Sequence, residues 1–132
     1  MPIEVERMER GVYRAIWTGS ITTEDIILKM AVTRDLVSQS QDARYCLIID
    51  LTEVGHIPVS ITPLRAVATS DDRLAGFLVV RPPAVASMIA KVLRDLTRVR
   101  FETFSLLEDA VIRARQLNEE EPTLTSSRKA GR

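Results

Sequence analysis

The sequence predicts an α/β fold: one domain with a mostly parallel five-stranded sheet, four helices and the element order ββαβαβαβα. Two apolar runs, YCLIIDL at 45–51 and GFLVV at 76–80, lack polar alternation and so belong to strands covered on both faces. Segments with a helical apolar period separate and follow them. The chain has 132 residues and is 45% apolar, 27% charged and 5% aromatic, which suits a single core built from Val, Ile, Leu and Ala.

Taken in order, IEVERM and VYRAIWTG both alternate, and they flank Glu9-Arg10-Gly11, where glycine can supply a positive φ; the chain opens with a hairpin. Thr22 stands three residues before Asp25 as a capping-box start, and Ile26, Ile27, Met30 and Val37 then recur at helical spacing, giving a helix over 23–38. YCLIIDL is the central strand. Pro63 suits the first position of a short helix over 63–70 with Thr62 as its N-cap, because the missing N–H would be unpaired there anyway. GFLVV forms the second buried strand and RPP ends it. Val85, Met88, Ile89, Val92, Leu93 and Leu96 make one continuous helical stripe, expected to lie on the sheet. VRFETF is the last strand, and Ser105 with Glu108 makes a capping box for a final helix carrying Leu106, Leu107, Ala110, Val111, Ala114 and Leu117 inward. Right-handed crossovers then leave the first and last strands as the edges. The segment NEEEPTLTSSRKAGR is polar and without periodicity, so 1–118 reads as the domain and 119–132 as a flexible tail.

Eighteen basic residues balance eighteen acidic ones, which leaves no global field to hold a nucleic acid. No apolar stretch approaches the roughly 20 residues that span a bilayer, and the start has no leader-like pattern, so a cytoplasmic protein without membrane insertion is expected. Cys46 lies in an apolar run and reads as a small buried hydrophobe. One His and one Cys supply no metal site, and the five glycines never cluster into a phosphate-binding loop; no cofactor is expected.

The loop after the central strand holds the residues of interest. Asp50, His56 and Ser60 are the residue types of a nucleophilic triad, beyond the carboxyl end of a strand where open α/β sheets place ligands. No G-x-S-x-G elbow surrounds Ser60 and no glycine-rich oxyanion loop lies nearby, so a non-enzymatic role is expected, with Asp50 bonding loop amides. Ile57, Val59 and Ile61 are apolar within this loop; they either tuck under the sheet edge or form a patch for a partner. Ser60 and Thr62 sit at a helix N-terminus, where phosphorylation is physically feasible and capping alone also accounts for them. Arg94, Arg98 and Arg100 form either a solvated face or a small basic patch for a phosphate or an acidic partner.

The hairpin leading into WTGSITTEDI, the strand ending LIIDLTEV, the strand GFLVV and the final FETFSLLEDAVIRA resemble the STAS domain, the fold of anti-sigma-factor antagonists and of cytoplasmic regions of sulfate transporters. The resemblance spans residues 3–118 and rests on element order with G-x-I-T, I-D-L and F-x-x-x-E-D-A patterns. Regulatory members of that family carry Asp-Ser-x-Gly after the central strand, with its Ser phosphorylated by a partner kinase. The corresponding positions here are Pro58, Val59, Ser60 and Ile61, so the acceptor position holds Val59, and a shift of one residue brings Ser60 there. The resemblance implies a regulatory protein that binds a protein partner, such as an anti-sigma-factor-like kinase, through the loop and helix at 54–69. Asp50, His56, Ile57, Val59, Ser60 and Thr62 would form that contact. The edge strand IEVERM would suit pairing with a second copy. The fold is also similar to that of lipid-exchange domains, which makes a small apolar-ligand binding or sensing domain the alternative.

Overall fold

The computed structural model describes residues 2–130, with side chains through residue 119; all of the expected tail over 119–132 except residue 119 lies outside the residues whose side chains are described. The elements run β1 (Ile3–Glu9), β2 (Val12–Ser20), α1 (Thr23–Ser40), β3 (Tyr45–His56), α2 (Ile61–Ala68), β4 (Leu74–Val80), α3 (Ala84–Thr97), β5 (Phe101–Phe104) and α4 (Leu107–Ala130). The sheet order is β1-β2-β3-β4-β5, with β1 antiparallel to β2 and every other pair parallel, so β1 and β5 are the edges. Gly11 takes φ +72° in the hairpin turn, and a Cβ there would meet Asn118 Nδ2 at 2.7 Å. That approach lets Asn118 on α4 donate to the Gly11 carbonyl at 2.8 Å.

Helices α1, α2 and α3 cover one face, their Ile26, Met30, Val37, Ala68, Ala90 and Leu93 packing with Tyr13, Tyr45 and Phe77 of the sheet. Helix α4 covers the other face, with Ala110, Ala114 and Leu117 on Val12, Cys46, Ile48, Leu78 and Val80. The capping box of α1 forms as expected: Thr22 Oγ1 accepts from Asp25 N at 3.1 Å and Asp25 Oδ2 from Thr22 N at 2.9 Å.

Several expected details differ. On α3 the inward residues are Ala86, Ala90 and Leu93, while Val85, Met88, Val92 and Leu96 are 37–63% exposed. The helix is turned about one position from the expected stripe, because the two alanines permit a closer approach to the sheet than the bulkier seam. Ile27 on α1 points outward for the same kind of reason, the seam Ile26, Met30, Thr33 and Val37 taking the inner face. At α4 the Ala110 amide donates to the Leu106 carbonyl, placing the cap at Leu106 instead of Ser105, and Leu106 is exposed.

Candidate functional site

Strand β3 does not stop at Asp50. Its partner β4 ends opposite Asp50 at Val80, but β2 continues beside it, pairing Thr18 with Glu53, Gly19 with Val54 and Ser20 with His56. The extension has one neighbour and alternates weakly, so it reads as loop in the sequence. Gly55 belongs to it because a Cβ there would press on the Gly19 carbonyl oxygen at 3.3 Å. His56 therefore ends a strand instead of lying in a loop, and its carbonyl accepts from Ile21 N at 2.8 Å.

The triad types are not brought together. Asp50 follows Ile48 by two residues and shares its side of the sheet, the side covered by α4. There it accepts from Arg14 Nη2 at 2.6 Å and from the Thr52 hydroxyl and amide at 2.6 and 3.0 Å. Burial pushes its carboxyl up, but the bonds from Thr52 and Arg14 outweigh burial and hold it below the ordinary aspartate value. Asp50 thus ties β2 to β3 and bonds one amide of the segment that the sequence reads as loop, that of Thr52. His56 and Ser60 are exposed. Among the described residues no group of His, Cys, Asp and Glu is arranged to hold a metal. Burial raises the Cys46 thiol to about 12, so it is an inert core group whose Sγ lies 3.8 Å from the Ala114 carbonyl.

Helix α2 begins two residues earlier than expected, with Ser60 instead of Thr62 at the N-cap and Pro63 at the third helical position. Proline is tolerated there because the first four amides of a helix have no intrahelical acceptor. The Ser60 side chain makes no capping bond, and Thr62 is exposed. The apolar loop residues divide: Ile57 is only 8% exposed and packs with Leu51, Val79 and Ala86, Ile61 is half-buried, and Val59 is 61% exposed.

Beneath this loop lies a feature the sequence does not reveal. A cavity of about 100 Å³ opens between α2, α3 and the sheet, lined almost wholly by apolar side chains. Ile57, Leu64 and Val67 form its α2 side, Ala86, Ile89 and Ala90 its α3 side, and Trp17, Phe77 and Phe101 part of its floor. Phe77 and Phe101 stack with centroids 4.9 Å apart. No local pattern signals it, since the pair Ala86 and Ala90 at i, i+4 is matched by Ala110 and Ala114 on α4, which are fully buried against the sheet.

No family model matches the sequence, and no curated protein matches it. Solved structures nevertheless share the architecture. An uncharacterised DUF3478-family protein with a SpoIIAA-like fold from Shewanella loihica PV-4 superposes with a TM-score of 0.61 at 15% identity, over 85% of this chain and 91% of that one. The fold is STAS-like. The Bacillus cell fate determinant SpoIIAA in its phosphorylated form gives a TM-score of 0.56 at 11% identity over 84% of this chain and 97% of its own. The unphosphorylated anti-sigma factor antagonist SpoIIAA gives 0.50 at 13% identity over 83% and 94%. Identities this low establish the STAS-like fold and leave function to the site. No helix among the described residues is long and apolar enough to cross a membrane.

Proposed function

We propose that the protein is a non-enzymatic STAS-like regulator that binds a protein partner through the β3–α2 loop and α2, residues 54–69. Val59 carries this reading: it stands 61% exposed beside Ser60 and Thr62 at the start of α2. An apolar side chain rimmed by hydroxyls is the usual make-up of a contact centre and its border. Ile57 supports the loop from below and is not part of the surface. A phosphate on Ser60 or Thr62 would be held by the unpaired amides of the first turn and would place charge beside Val59, so either hydroxyl can regulate docking. The STAS resemblance makes an anti-sigma-factor-like kinase the partner to test first. The test is a native pull-down comparing wild type, Val59→Ile and Val59→Asp. A protein kept by Val59→Ile and lost by Val59→Asp is expected; if every retained protein stays on folded Val59→Asp, the loop is not the interface. The unpaired edge of β1 also supports association with a second copy, which sedimentation over a concentration series decides.

The cavity favours a second reading, a small apolar-ligand binding or sensing domain. Trp17, the sole tryptophan, lines the space and reports on it by fluorescence. Titration with decanoic acid is expected to give a saturable change in wild type that Ala90→Leu abolishes. An emission spectrum unchanged throughout the titration removes this reading.

A further inference from the structure

At the opposite end of the sheet from the docking loop, a cleft of about 650 Å³ lies where β3, β4 and β5 begin. Arg44 before β3, Arg94 and Arg98 at the end of α3, and Arg100 before β5 all line it. We propose that this cleft binds a small phosphate-bearing anion.

Arg44 carries the argument. Its Nε and Nη2 are shielded from solvent and have no hydrogen-bond partner, although buried guanidinium donors are normally paired. Burying such donors unpaired is costly, and because Arg44 lines the cleft, turning its guanidinium outward onto an acceptor there would relieve that cost. The other arginines are weakly committed. Arg94 lies 4.0 Å from Asp95, Arg100 lies 3.4 Å from Glu102, and Arg98 makes no ion pair among the described residues. Two carboxylates also line the cleft, Asp71 and Asp72, but Asp71 is already taken up by Arg73 at 2.9 Å and by the Tyr45 hydroxyl at 3.0 Å. The lining therefore keeps an excess of positive charge. Complementing the α3 C-terminus accounts for Arg94 and Arg98, and Glu102 accounts for Arg100, but Arg44 comes from a loop and needs another reason. Planar guanidinium forks suit phosphate oxygens, and the volume admits a phosphorylated small molecule.

Calorimetry of the full chain with inorganic pyrophosphate at fixed ionic strength tests this, with citrate as a polycarboxylate of similar charge. Saturable uptake of pyrophosphate in preference to citrate is expected, weakened about tenfold or more in Arg44→Gln and in Arg98→Asn. Arg98 is exposed with φ 62°, a backbone Asn tolerates, so this variant decides the matter if Arg44→Gln fails to fold. Arg81→Asn, exposed with φ 53° at the far end of β4, is the matched control and should bind as wild type. Absence of saturable binding at millimolar pyrophosphate, equal affinity for citrate, or equal weakening by Arg81→Asn would each overturn the proposal.

Discussion

Helices α3 and α4 present the same Ala-Ala-Leu seam to opposite faces of one sheet. Ala110, Ala114 and Leu117 on α4 repeat the spacing of Ala86, Ala90 and Leu93 on α3, i, i+4 and i+7. The outcomes differ. The α4 seam is 0–1% exposed against Val12, Cys46, Ile48 and Leu78, whereas the α3 seam is 5–7% exposed and borders a cavity of about 100 Å³. A single long helix lies flat along the strands it covers; three shorter helices leave space where two of them meet the sheet. An alanine seam thus sets how closely a helix can approach, and its neighbours determine whether the approach closes.

The strongest way to break this contrast is to remove a large side chain from the closed face. Ile48→Ala is expected to cost about 2–5 kcal/mol in urea unfolding, since Ile48 is 0% exposed and packed among Val12, Leu78 and the α4 seam. A cost under about 1 kcal/mol would mean the α4 face is loosely packed. Adding volume separates the faces more sharply. Ala114→Leu should destabilise by roughly 1–3 kcal/mol through overpacking, while Ala90→Leu, which can enter the cavity, should stay within about 0.5 kcal/mol of wild type. Equal losses at both positions would show that the cavity does not accept a side chain.

A third test concerns the polar anchor on the three-helix side. Asp42 accepts from Tyr13 Oη at 2.6 Å, Gly11 N at 3.0 Å and Arg7 Nε at 3.2 Å, joining the hairpin to the end of α1. Burial pushes its carboxyl up, yet these donors outweigh it and hold it below the usual 3.8. A carboxyl depressed on folding adds stability that is present above its unfolded value and is lost as pH falls through its lower folded value. Unfolding free energy should therefore drop as pH falls below 3.8, and Asp42→Asn should flatten that slope. Asp42→Asn is also expected to cost roughly 1–3 kcal/mol at pH 7 by weakening buried bonds. An unchanged acid slope would assign the loss to Asp50, Asp71 and Glu102, whose carboxyls are also held low.

The features legible in the sequence are those set locally. The order of elements, the two edges and the α1 capping box follow from period, turn residues and the Thr22–Asp25 spacing. Three features depended on tertiary neighbours. The side taken by Asp50 follows from strand parity and from which helix covers which face, neither visible in I-D-L itself. The run of β3 to His56 depends on β2 extending beside it. The inner face of α3 was chosen by shape, although its outer seam is the more apolar.

That last choice yields the smallest expected effect. If Val85, Met88, Val92 and Leu96 are an outer surface, replacing Met88 with Gln should change stability by no more than about 0.5 kcal/mol, because Met88, 63% exposed, is mostly in water folded or unfolded. Gln is a fair substitute, since its helix propensity is close to that of Met and its length preserves the stem. The matching change at Leu93, 5% exposed, should cost several-fold more. Should Met88→Gln and Leu93→Gln prove equally costly in chemical denaturation, α3 packs on the sheet by its larger seam. The cavity between α2 and α3 would then be closed by Ile89, Val92 and Met88, and the likeness between the α3 and α4 seams would be one of sequence only.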